Sequence, residues 1–184
     1  MRNKVLQQYT LEGNNYLADR LVEIAEIKDN DIILEPSAGQ GAIIDSILKV
    51  INDTNNLFFC ENIPTKTIIL NRQYGAMKNL YYLHPLNDDF LNLDNFQFDK
   101  IIANPPLENN QDIDYVLHMY KNLKPGGILV SVMSNNWRIS TDKKESEFKK
   151  WLFSNDYWVD EIKEDMFKDS GTMVGVIVSI KKHY

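Results

Sequence analysis

Apolar residues along this chain recur with two periods, and the alternation between the periods predicts its architecture. Leu17, Leu21, Ile24 and Ala25 fall at helical spacing, a pattern that ends near Lys28-Asp29-Asn30. Asp31 to Glu35 then reads as a buried strand, and Gln40 to about Ile51 as a helix with Ile43, Ile44, Ile47, Leu48 and Ile51 on one side. Leu57-Phe58-Phe59-Cys60 is a second strand. Ile63 to Tyr74 is a helix whose Pro64 sits in the first turn, where a missing N–H costs nothing. Tyr81-Tyr82-Leu83 is a third strand, closed by His84-Pro85, and Phe98 to Ala103 a fourth, stopped by Asn104-Pro105-Pro106. Ile113, Val116, Leu117, Tyr120 and Leu123 form a helical stripe ended by Lys124-Pro125-Gly126-Gly127. Ile128 to Met133 is a fifth strand, Asp142 to Ser154 a helix burying Phe148, Trp151 and Leu152, and Tyr157–Glu164 and Met173–Ile180 a closing antiparallel pair.

Strands alternating with helices, several apolar on both faces, predict an α/β fold: a doubly wound, mostly parallel seven-stranded sheet with an antiparallel C-terminal edge pair. No linker or repeat divides residues 1–184, which read as one domain. In such sheets ligands bind outside the carboxyl ends of the strands, where the strand order reverses. Four of those ends carry polar or special residues: Glu35 to Gly41, Glu61-Asn62, Asp88-Asp89-Phe90 and Asn104-Pro105-Pro106-Leu107.

Composition narrows the ligand. The chain has 184 residues, 43% hydrophobic and 25% charged, with a formal net charge of −6. Strong autonomous binding of a polyanion needs a basic face, whereas Lys143-Lys144 and Lys149-Lys150 are interleaved with Asp142, Glu145 and Glu147 and read as a solvated helix face. A single cysteine, Cys60, excludes an internal disulfide and disfavours a cysteine metal site. No apolar run approaches the roughly 20 residues that span a bilayer, and the first residues lack a signal-peptide core. The expectation is a cytoplasmic protein without metal or membrane contact.

Gly39 and Gly41 permit close backbone approach to a ligand. No Gly-Lys-Ser/Thr follows, and Ile44 stands where a dinucleotide fingerprint would place its third glycine, so phosphate is not the predicted ligand. Glu61, about 20 residues on at a strand end, can accept both hydroxyls of a ribose. Asp89 offers an acceptor for an exocyclic amine, and Phe90 an aromatic face for a base or, alternatively, a core side chain. Two prolines after Asn104 hold its amide and the Pro105 carbonyl rigidly at the strand end. Those two oxygens can accept both protons of an –NH₂ group and free its lone pair from ring conjugation, with no strong base.

Together these residues resemble the class I S-adenosylmethionine-dependent methyltransferases, in the amino-methylating branch with an Asn/Asp-Pro-Pro-aromatic signature. Glu35-Pro36-Ser37-Ala38-Gly39-Gln40-Gly41-Ala42 is similar to the first motif of the N6-adenine DNA methyltransferases of phages and mobile elements, and Asn104-Pro105-Pro106-Leu107 to their catalytic motif. Leu123 to Gly127, and Phe167 with Ser170-Gly171-Thr172, complete the likeness. The resemblance implies a Rossmann-like methyltransferase with S-adenosyl-L-methionine as cofactor. Tyr9, Thr10, Glu35 and the Ser37, Ala38, Gly39 and Gly41 backbone would hold its methionine end. Glu61 would take the ribose, Asn62 or Ile63 would cover the adenine, Asp89 and Phe90 would complete that pocket, and Asn104 would border it. Asn104, Pro105, Pro106 and Leu107 would form the catalytic loop.

Leu107 departs from the family's aromatic at that position, and no segment is long enough to act as a recognition domain. Trp137 and Arg138 could stack on a base and contact phosphate, or be a buried Trp beside a surface Arg. The implied substrate is nucleic acid, DNA before RNA, bound weakly or with help from a partner subunit or a second copy. RNA adenine and a protein glutamine amide remain alternatives, as does an idle cofactor-binding scaffold.

Overall fold

A computed structural model describes residues 15–75, 80–83, 89–162 and 175–184. Its elements in chain order are α1 (Asn15–Ala25), β1 (Ile33–Glu35), α2 (Ala42–Ile47), β2 (Leu57–Phe59), α3 (Pro64–Tyr74), β3 (Leu80–Tyr82), β4 (Phe98–Ala103), α4 (Gln111–Lys121), β5 (Leu123–Ser134), α5 (Asn136–Ile139), α6 (Lys143–Phe153), β6 (Asp156–Glu161) and β7 (Gly175–Lys181). One-turn 3₁₀ segments lie at Phe90–Asn92 and Glu108–Asn110.

The sheet has seven strands in the order β3-β2-β1-β4-β5-β7-β6. β1 to β5 are parallel, and β7 runs antiparallel between β5 and β6. Alternation along the strands sends successive side chains to opposite faces. Ile33, Leu57, Phe59, Ile102 and Val130 pack under α1, α2 and α3 through Leu21, Ile44, Ile47 and Leu70. Leu34, Ile101, Ala103, Leu129 and Met133 pack under α4, α5 and α6 through Val116, Met119, Trp137 and Phe148. The doubly wound α/β expectation holds.

Two local expectations are corrected. The helix expected from Gln40 to about Ile51 ends at Ile47, with Leu48 as its C-cap, because Lys49 and Val50 have no core to face and are exposed. The turn expected at Lys124 to Gly127 instead lies within β5. Phe98 pairs with Leu123 and Lys100 with Ile128, so the extra residues bulge out of the ladder. Gly126, at φ 80°, donates its N–H to the Lys182 carbonyl (2.8 Å), so the glycine joins the ladder rather than ending a segment. Of the two readings open for Trp137, the buried one holds: it lies beneath α6, edge-on to Phe148 at 5.7 Å, within the helical turn α5. Tyr9, Thr10, Asp88, His84-Pro85, Phe167 and Ser170 to Thr172 lie outside the described residues.

Lys100 shows how a buried charge can serve the frame. Its Nζ donates to the Ala25 carbonyl (2.7 Å), satisfying the C-terminus of α1, and burial lowers its pKa despite Asp31 at 4.0 Å.

Candidate active site

β1 lies between β2 and β4, so the chain leaves the sheet in opposite directions on either side of β1, and a crevice opens at the carboxyl ends of these strands. Glu35 closes β1. The Ala38 N–H donates to the Cys60 carbonyl (2.9 Å), which ties the glycine turn to the end of β2. Gly39 and Gly41 have φ of 60° and 95°. A Cβ at Gly41 would overlap the Tyr74 hydroxyl and lie 2.6 Å from a Tyr74 ring carbon, so glycine is required there twice over.

Glu61 joins the turn to the next helix. Its Oε2 accepts from the Gly39 N–H and its Oε1 from the Ile63 N–H, each at 2.7 Å. A carboxylate has about four lone-pair positions, so the two remaining can accept two further hydroxyl donors. The Tyr82 hydroxyl donates to the Glu61 carbonyl (2.6 Å) and fixes the backbone beneath it. Ile63 caps α3, while Asn62 is exposed at the rim.

Glu35 is 1% exposed. Burial, and secondarily the charge of Glu61, hold its pKa well above the ordinary 4.5, against a hydrogen bond from the Ile44 backbone. Its Oε2 and the Ser37 Oγ are buried without a hydrogen-bond partner. Buried polar atoms are nearly always satisfied, so this pair fits a polar, cationic ligand group such as the ammonium of a methionine moiety.

This arrangement makes a pH prediction. Between 4.5 and the raised folded value, the unfolded chain gives up a proton that the folded chain keeps, so stability falls as pH rises through that window. Glu35→Gln should therefore raise the melting temperature of the cofactor-free protein at pH 7, with the gain vanishing below pH 4.5. The same change should weaken S-adenosylmethionine binding about tenfold or more, because a cationic group bound beside Glu35 favours its charged form, which an amide lacks. Melts across pH beside calorimetric titration check both halves.

The Asn104-Pro105-Pro106-Leu107 loop begins one strand away. β4 pairs with β1 through Ile33–Lys100 and Leu34–Ile101, which brings Asn104 level with the first residues of the glycine turn. Pro105 is buried; Asn104, Pro106 and Leu107 are partly exposed. Asn109 and Asn110 both take left-handed conformations, at φ 53° and 58°. The Asn110 amide donates to Glu145 in α6 (2.6 Å), and Asp112 accepts the Ser134 N–H at the end of β5 (2.8 Å). The loop is thereby anchored to both α6 and the sheet.

Asp89 accepts the Leu91 N–H through Oδ1 (3.0 Å) and caps the 3₁₀ turn. Phe90 is a correction. It is 1% exposed, edge-on to His118 at 4.8 Å and beside Tyr115 at 5.4 Å, so it is a core side chain with no face for a base. Tyr115 is also buried, near Asp89 and Glu61. Burial, with Asp89 and Glu61 nearby, raises the pKa of its hydroxyl. Tyr74, Tyr82 and Tyr115 support the site and went unmarked in the sequence, because each reaches it through tertiary packing and carries no motif. The bonds above join Ala38, Gly39, Glu61 and Ile63; Glu35, Ser37 and Gly41 lie in the same turn, and Asn62 and Asp89 border the same strand ends.

No family model matches the chain. Among curated proteins, it is 32% identical over 115 residues to the ribosomal RNA small subunit methyltransferase A of Borreliella afzelii, covering 58% of this chain and 38% of that one. It is 28% identical over 169 residues to its counterpart in Borreliella burgdorferi, covering 81% and 57%. The chain spans about half the length of the curated relatives it matches. Among solved structures, the M protein of the type I restriction enzyme EcoKI superposes with a TM-score of 0.73 at 13% identity, over 95% of this chain and 44% of that one. The 23S rRNA methyltransferase ErmE superposes at 0.65 and 14%, over 91% and 67%. A Listeria monocytogenes chain assigned to class I superposes at 0.70 and 14%, over 92% and 59%. The fold of this chain is that of the class I S-adenosylmethionine-dependent methyltransferases.

Proposed function

We propose that this chain is an S-adenosylmethionine-dependent N-methyltransferase whose acceptor is adenine N6 in RNA. The observation that carries the reading is Glu61, whose two oxygens hold the Gly39 and Ile63 N–H groups and so lock the glycine turn against the carboxylate that would take a ribose. The unsatisfied Glu35 Oε2 and Ser37 Oγ extend the same cradle toward a methionine end. When bound, S-adenosylmethionine supplies an electrophilic methyl group on a sulfonium. The chain's own part is placement. The Asn104 amide oxygen and the Pro105 carbonyl accept the two N–H groups of the target amine and turn its lone pair out of the ring, while the anchored loop holds that geometry.

The amine acceptor follows from the Asn-Pro-Pro loop. RNA ranks before DNA because the curated relatives are named for ribosomal RNA, which reverses the order expected from the sequence. The likeness to the EcoKI M protein, at 13% identity, is one of fold and does not restore DNA. Calorimetry with S-adenosylmethionine, with Glu61→Ala as the control, tests the cofactor. Nucleoside mass spectrometry of RNA and DNA incubated with protein and cofactor tests the acceptor; methylation confined to DNA would reject it.

Leu107 adds a specific expectation. An aromatic side chain under a base contributes about 1–3 kcal/mol, so Leu107→Phe should raise the methylation rate on an adenine-containing RNA by about tenfold at subsaturating substrate. An unchanged or lower rate in initial-velocity assays would count against a base in that slot.

A further inference from the structure

A second concave surface lies outside the cleft. It is a groove of about 440 Å³ between α6 and the edge strand β6, lined by Trp137, Arg138, Lys149, Phe153, Tyr157, Trp158 and Val159. In a chain of net charge −6, this described lining carries two cations and no carboxylate. Phe153 and Tyr157 stack at 5.5 Å and are 55% and 37% exposed, and the Lys149 ammonium lies 6.0 Å from the Phe153 ring. Arg138 covers Trp137 at 5.7 Å and pairs with Glu161 at the rim. Trp137 is 2% exposed, and its indole N–H has no hydrogen-bond partner.

We propose that this groove carries the single-stranded RNA that flanks the target adenine. The inference rests on the RNA reading above. Exposed aromatic faces interleaved with cations are the chemistry by which single strands are held without sequence readout. Position agrees with it. Arg138 lies in α5, directly after the carboxyl end of β5, and β6 stands three strands from β4 in the sheet. At about 4.8 Å per strand the sideways separation is about 14 Å, and the register that sets Tyr157 beside Ile180, and Ile180 beside Leu129, makes the groove descend from Arg138 at the crevice end toward Tyr157 lower on the sheet.

A second copy docking edge to edge is the poorer occupant. Antiparallel pairing of two β6 strands about their centre would set Asp156 opposite Glu161 of the other copy at both ends.

The test is fluorescence anisotropy with a short fluorescein-labelled single-stranded RNA of mixed sequence, titrated with the full chain at several salt concentrations. Phe153→Ala combined with Tyr157→Ala should weaken binding about 10- to 100-fold, and Lys149→Gln should flatten the salt dependence by about one phosphate contact. S-adenosylmethionine affinity and the melting temperature, measured on the same samples, should stay unchanged. Equal RNA affinity in the aromatic double variant, no RNA binding by the unmutated chain, or tighter binding of the matching DNA strand would each overturn the proposal. Failure of the unmutated chain to bind S-adenosylmethionine, read by calorimetry, would reject the methyltransferase reading instead and leaves the anisotropy result to stand on its own.

Discussion

Asn104→Ala is expected to lower methyl transfer about 100- to 1,000-fold, the range seen when one preorganised polar partner is removed from a reacting group. S-adenosylmethionine affinity should fall far less. The reason lies in how the loop is held. Pro105 and Pro106 fix the backbone after β4, Asn110 is bonded to Glu145, and Asp112 to the Ser134 N–H. Truncation at Asn104 therefore removes one acceptor, while the bonds that tie the loop to α6 and β5 remain. Asn104→Asp, which keeps an acceptor oxygen at the same reach, should recover part of the rate. Single-turnover transfer of a labelled methyl group, beside calorimetry on the same variants, separates the two quantities. An alanine variant as fast as the parent would end the proposed role.

Gly41→Ala should be the most damaging single change in the glycine turn. The φ of 95° is strained for any side chain, at about 1–3 kcal/mol. The new methyl group would also drive Tyr74 from its bonds to the Gly41 carbonyl (3.0 Å) and Asp45 (2.7 Å). The combined loss is about 2–4 kcal/mol, or about 5–15 °C in melting temperature for a chain of this size. Loss of measurable cofactor binding should accompany it. Gly39→Ala is the internal comparison. Its φ is 60°, but the nearest atom to an added Cβ is the Ser37 carbonyl oxygen at 3.9 Å, so only the conformational cost of about 1–2 kcal/mol applies. Differential scanning fluorimetry with and without S-adenosylmethionine would rank the two; equal damage would mean that Tyr74 does not buttress the turn.

The parts of this fold legible in the sequence were those set by local pattern. Phe98 to Ala103, uninterrupted and closed by Asn-Pro-Pro, was readable to the residue. The strand ends that meet at the crevice were readable as well, because a parallel α/β sheet leaves few other places for Glu35, Glu61 and Asn104. What escaped was settled by partners distant in the chain. Pro125-Gly126-Gly127 has the composition of a turn, yet the strand continues through it because Lys182 offers backbone groups to pair with. Phe90 and Trp137 are as acceptable in a cleft as in a core, and only the positions of His118, Tyr115 and Phe148 decide the matter. Lys149, in a run of alternating charge, reads as solvated; a neighbouring edge strand sets it in an aromatic groove.

The antiparallel β7 bears on how such a chain reaches this shape. It is last in chain order among the described strands, yet it lies inside the sheet, hydrogen-bonded along Gly175 to Lys181 to β5 on one side and β6 on the other. β6 has no other strand partner among the described residues. The crevice half, β1 to β4, can assemble from neighbouring βαβ units as they are synthesised, at low loop-closure cost. The groove half cannot: until β7 is made, β6 has nothing to pair with and the outer edge of β5 stays open. The two halves therefore mature at different times, and the nascent chain exposes an unpaired strand edge until β7 docks.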